Sequence, residues 1–143
     1  MGNNSGVTYV LLPANAEAVR SDPARLDAAC RGFVHEYALP AIFRPVSPRS
    51  KIVHEEFLGT GPDRAFFAVA TIPEASSIMD LKTGRRRDSV RSLLVFDKNK
   101  YMYMLHSEMN TVFDPVNAAA LTSKDLDAAR KKMQRMRESV RFQ

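Results

Sequence analysis

Two stretches constrain this chain more than anything else in it: "AFFAVATI" at residues 65–72 and "SLLVF" at residues 92–96 are apolar or small at successive positions instead of alternate ones. Side chains along a β-strand point to opposite faces in turn, so a strand with one wet face alternates apolar and polar residues. These two do not alternate, and they read as strands covered on both faces. Something apolar must therefore lie on each side of the sheet, supplied either by this chain or by a second molecule.

The neighbouring runs complete a meander. "KIVHEEFL" (51–58) and "AFFAVATI" flank "GTGPDR", a Gly-Pro-Asp turn of hairpin length, so they pair antiparallel. "SSIMDL" (76–81) predicts a short strand, and "DSVRSLLVF" and "KYMYMLHSE" flank "DKNK" as a second hairpin. Earlier, "VTYVLL" (7–12) is β-branched and aliphatic and stops at Pro13.

Helices are predicted on either side of this β-rich middle. Ser21 or Asp22 caps the first, with Pro23 in its opening turn. At 100° per residue Leu26, Ala29, Cys30, Phe33, Val34 and Tyr37 share one face. This helix should end before Pro40, and the three prolines in residues 40–50 predict an extended crossing. "VNAAAL" (116–121) predicts a short helix. The last helix starts at Thr122 or Ser123, with Asp125 completing a capping box, and runs to about Arg141. Leu126, Ala129, Met133, Met136 and Val140 form its apolar stripe, Arg130, Arg137 and Arg141 one edge, and Lys124, Lys131 and Arg135 its wet back.

At 143 residues, 45% hydrophobic and 26% charged, the chain is sized and composed for one globular domain. The expected fold class is α+β: a single domain with an antiparallel meander sheet of five or six strands, an N-terminal helix and a basic amphipathic C-terminal helix. It spans residues 7–143 behind a flexible polar tether at 1–6. That tether reads in two ways, as the mature start of a periplasmic, envelope-associated or lipid-anchored protein whose leader was removed, or as the frayed start of a cytoplasmic one. No apolar run reaches the roughly 18 residues of a membrane span.

Residues that could carry chemistry do not converge along the sequence. Cys30 is the only cysteine, which excludes an internal disulfide, and it falls on the inner face of the first helix. His35, His54 and His106 show no metal-ligand spacing. His54 and Glu56 share a face of their strand, whereas Glu55 and Glu56 point to opposite faces and cannot work as a pair. Gly59, Gly61 and Gly84 form no phosphate-binding fingerprint. No catalytic residue, metal site or cofactor is assigned, and the chain reads as non-enzymatic.

Its formal charge of +5 draws polyanions and acidic proteins alike. The basic residues concentrate in "TGRRRDSVR" and along the last helix. Arg85, Arg86, Arg87 and Arg91, with Tyr101 and Tyr103 beside them, are the candidate binding residues; the two tyrosines share a strand face and form the stacking pair that a single-strand nucleic-acid binder would need. With too few helices to cover both faces of the sheet, the chain is expected to have its burial completed by a protein partner with an acidic surface, or by self-association. The leading expectation is a protein-interaction module, in the setting of an envelope-associated bacterial accessory or an immunity-type protein. The alternatives are a small-ligand or small catalytic domain with a pocket near His54, Glu56 or His106, and nucleic-acid binding.

Overall fold

A computed structural model describes residues 5–11, 22–76, 79, 81–82, 84–98, 101–109 and 121–140. The strands are β1 (Ser5–Leu11), β2 (Lys51–Leu58), β3 (Ala65–Ile72), β4 (Ser89–Lys98) and β5 (Tyr101–Glu108). All pairings are antiparallel and the order across the sheet is β1-β5-β4-β3-β2. From β2 to β5 the chain is the expected meander. β1 adds to its far edge beside β5, beginning at Ser5 and so reaching two residues into the stretch expected to be a tether.

Every residue of β3 is buried, as its unbroken apolar run requires. Phe66, Ala68, Ala70 and Ile72 of β3, Leu93 and Val95 of β4, and Met102 and Met104 of β5 form one core with helix α1 (Pro23–Gly32) and its continuation. Ala65, Phe67 and Val69, Val90, Leu94 and Phe96, and Tyr103 and Leu105 form a second core on the opposite face with Ala129 and Met133 of helix α2 (Ser123–Ser139). The expectation of a sheet face left open for another molecule is therefore corrected. Each helical layer packs on its own side of β3, β4 and β5, and Met102, Met104, Met109 and Met133 are buried between them.

One helical layer achieves this by an unexpected route. α1 starts as predicted, with the Asp22 carboxylate accepting from the N–H groups of Ala24 and Arg25 and Pro23 in the first turn. It does not stop before Pro40. From Phe33 to Phe43 the backbone continues as a π-helix that runs through Pro40, and the Arg44 N–H bonds the Leu39 carbonyl five residues back at 2.9 Å. In an α-helix the ring of Pro40 would strike the carbonyl four residues earlier; the wider i→i+5 turn moves that carbonyl aside. Burial follows the new period: Phe33, Ala38 and Phe43 are spaced by five, as are Val34 and Leu39. Tyr37, expected on the apolar stripe, is rotated to the surface. Residues 44–50 are turns, so the extended crossing predicted for 40–50 is not formed.

α2 matches its prediction closely. The Thr122 hydroxyl accepts from the Asp125 N–H and the Asp125 carboxylate accepts from the Thr122 N–H, both at 3.1 Å. Ala129 and Met133 are buried, while Leu126, Met136 and Val140 pack beside them. Of the strand predicted at "SSIMDL", residues 77, 78 and 80 lie outside the described residues, and the described ones form an isolated bridge, Met79 to Arg86. The helix predicted at 116–121 lies, but for Leu121, outside the described residues, as does Arg141.

Candidate functional site

β3 and β4 are joined by an arm at residues 73–88, of which 73–76, 79, 81–82 and 84–88 are described. Its base is held by short-range bonds: the Glu74 N–H donates to the Asp88 carboxylate at 3.0 Å, and the Ser76 N–H donates to the Arg87 carbonyl at 2.9 Å. Glu74 takes a positive φ of 57°, a conformation that costs a non-glycine residue strain and is held here by the Asp88 bond. Beyond the base, Leu81 is 97% exposed and Met79 52% exposed. Arg85 lies within 3.6 Å of the Glu74 carboxylate, and the Arg86 guanidinium donates to the Ser76 carbonyl at 3.4 Å. The arm thus presents two apolar side chains among surface arginines, and Arg85 and Arg86 are both exposed.

The other candidate residues are elsewhere. Arg91 sits within β4 on the α1 side and donates to Nδ1 of His106 at 3.1 Å. Its register partner is Glu108, whereas Tyr101 pairs with Lys98 at the far end of the same hairpin. Seven residues at about 3.3 Å each put roughly 23 Å between them. Tyr101 and Tyr103 belong to the opposite face, where Tyr103 is 7% exposed and stacks on Phe96 at 5.9 Å. The structure keeps Arg85, Arg86 and Arg87 together and separates Arg91, Tyr101 and Tyr103 from them, and the buried Tyr103 offers no base-stacking surface.

On β2 two histidine–glutamate–arginine clusters stand back to back. Glu55 accepts from Arg31 at 2.8 Å and contacts His35 Nε2 at 2.5 Å on the α1 side. Glu56 contacts His54 Nε2 at 2.5 Å and accepts from Arg130 at 2.6 and 3.1 Å on the α2 side, and Arg130 also bonds Asp127. The shared face of His54 and Glu56 and the opposed faces of Glu55 and Glu56 follow from strand alternation. Arg31, His35 and Arg130 could not be read as their partners, since they lie 20 or more residues away in sequence. Partial burial raises the Glu55 carboxyl, but the bonds from His35 and Arg31 outweigh it and hold it below the usual range. Arg130 does the same for Glu56 against a smaller effect of burial, helped by His54. Each carboxylate is committed to an arginine, so these clusters tie helices to the edge strand.

His106 of β5 is a further polar group between the layers. Arginine can only donate, so Nδ1 of His106 accepts and the neutral ring carries its proton on Nε2. Burial, and then the Arg91 charge, push its pKa down to about 4. Gly6 of β1 lies against this ring, where a β-carbon would come within 2.6 Å of Nε2; sequence reasoning had no signal for that contact.

These shifts set a two-stage acid response. A histidine depressed from about 6.5 keeps its proton off in the fold while the unfolded chain binds one, so its contribution is full above about 6.5 and is lost as pH falls from there toward 4. The glutamates, depressed from about 4.3, contribute above that value and lose it below. Urea titrations between pH 7 and 3 should show His106→Gln flattening the upper stage relative to the unaltered protein, and Glu55→Gln with Glu56→Gln flattening the lower one.

Cys30 is buried, and burial, followed by the Asp97 and Asp27 charges, pushes its thiol up to about 12. It is therefore protonated and inert at neutral pH. Maleimide labelling of the native protein should proceed only at the rate of unfolding, and become fast in denaturant.

One open groove of about 390 Å³ runs between the end of β2 and α2, lined by Leu58, Arg130, Lys131, Gln134, Arg135 and Glu138. Among the described residues no three histidine, cysteine or acidic side chains converge as metal ligands, and no helix is long and apolar enough to cross a membrane. Comparison of the chain with known protein families, with characterised proteins and with solved structures finds no match.

Proposed function

We propose that this chain is a protein-interaction module whose contact surface is formed by the described residues of the β3–β4 connection around Met79, Leu81, Arg85 and Arg86, and that its partner presents an acidic rim around an apolar recess. The observation that carries this reading is the near-complete exposure of Leu81, with Met79, on a segment that also carries Arg85 and Arg86. Methionine and arginine are enriched at protein interfaces. An apolar anchor ringed by cations would gain burial at its centre and electrostatic steering from its rim. The support lies in the arm alone, because the chain's own helices cover both sheet faces.

A photo-crosslinking residue at position 81 in the full chain, with adducts identified by mass spectrometry, tests this. Leu81→Asp combined with Arg86→Glu should abolish the partner's recovery while stability changes by no more than about 0.5 kcal/mol, as for surface substitutions generally. Unchanged recovery by that variant removes the proposal.

The second reading, a small-ligand domain, is favoured by the groove beside α2, because Arg130, which lines it, also holds Glu56. An acidic small molecule is the chemistry that Lys131 and Arg135 would select. A thermal-shift screen with carboxylate and phosphate compounds checks it: a saturable rise in melting temperature abolished by Arg135→Glu supports it.

A further inference from the structure

The two edges of the sheet are built differently. β2 carries Lys51, Glu55 and Glu56, breaks register between Ile52 and His54, and has both glutamates tied back to helices. Charges and bulges of this kind keep an edge strand from pairing with another chain. β1, "SGVTYVL", has no charged residue and no proline, and its register with β5 runs unbroken from Ser5↔Ser107 to Leu11↔Tyr101. Among the described residues, no backbone hydrogen bond outside the sheet ladder involves β1.

We propose that two copies of the chain pair antiparallel along β1, joining two sheets into one. A strand meeting its own copy closes about a two-fold axis and leaves no further edge of the same kind to propagate. All seven residues are used only when Thr8 of each copy stands opposite Thr8 of the other, and in that register no charged residue lies on either strand. The same operation on β2 would bring the glutamates of both copies within a residue or two of one another. Since each copy carries a formal charge of +5, their long-range repulsion weakens as salt screens it. Self-pairing therefore tightens with ionic strength, the reverse of binding to an acidic partner through the arm, so the two proposals stand or fall separately.

Sedimentation velocity of the full chain over a wide concentration range is the test. The expected result is a monomer–dimer equilibrium that strengthens with salt. Val7→Lys, at a half-exposed position of β1, should weaken it by about tenfold or more, because the two-fold axis introduces each change twice. Lys51→Glu on β2 should leave it unchanged. Directly opposed residues of an antiparallel pair have α-carbons about 4.5–5.5 Å apart, within disulfide reach. Thr8→Cys should therefore give a covalent dimer on mild oxidation, without competition from the buried Cys30. A monomer at every concentration and salt overturns the proposal, as does a dimer that Val7→Lys leaves intact. Those two readings decide the matter even if the Thr8→Cys variant does not fold.

Discussion

Leu93→Ala and Leu94→Ala, made separately, should each lower the unfolding free energy by about 2–5 kcal/mol. The two leucines are adjacent on β4 and point to opposite faces; neither has accessible surface, and each belongs to a different core. On a half-covered sheet one of the two truncations would fall near the ±0.5 kcal/mol of a surface change. Comparable losses from both, measured by urea unfolding with unchanged m-values, would show that the chain covers its own sheet twice over. Domains of this size hold only about 5–15 kcal/mol in total, so either variant gives up a large share of its stability. A loss confined to one of them would restore the case for a partner on the other face.

The second large effect discriminates between two helical periods. Ala38→Lys should cost about 3 kcal/mol or more, because it puts an unpaired ammonium into a dry core. Tyr37→Lys should cost about 1 kcal/mol, the scale of its aromatic contact with Phe33, since Tyr37 is 46% exposed. If α1 kept its ordinary period past Gly32, the order would reverse, with position 37 on the buried stripe and position 38 about 110° away from its centre. Melting temperatures of the two variants, compared side by side, decide which holds.

Sequence logic reached most of the sheet and all of α2, for reasons that are local. The β2–β3 hairpin is written in its turn residues, β3 in its unbroken apolar run, and the cap of α2 in Thr122 and Asp125. The end of α1 was misjudged because a proline inside a helical pattern is normally a stop, and the evidence against stopping was a recurrence at five, in Phe33, Ala38 and Phe43, that an α-helical template does not look for. The supposed open face was misjudged because counting helices says nothing about where they lie. One on each side suffices, and their sides are decided by chain crossings that leave no mark in residue type. Among the candidate residues, the arginine run stayed together because it is contiguous. Arg91 and the two tyrosines were separated by strand register and alternation, which could have been followed on paper along "DSVRSLLVF" and "KYMYMLHSE".

The β2–β3 turn is gripped from both layers. Arg64 at its end makes a two-point bond to Asp27 of α1, at 3.0 and 2.7 Å, and Arg137 of α2 donates to the Pro62 and Asp63 carbonyls while lying 4.1 Å over the Phe96 ring. The two helices thus share this corner as a common anchor, besides the one that Glu55 and Glu56 of β2 give them. That corner behaves like a keystone: a protease cut between Gly59 and Asp63 would loosen both layers together, and the final helix has no seat until the hairpin beneath it has closed.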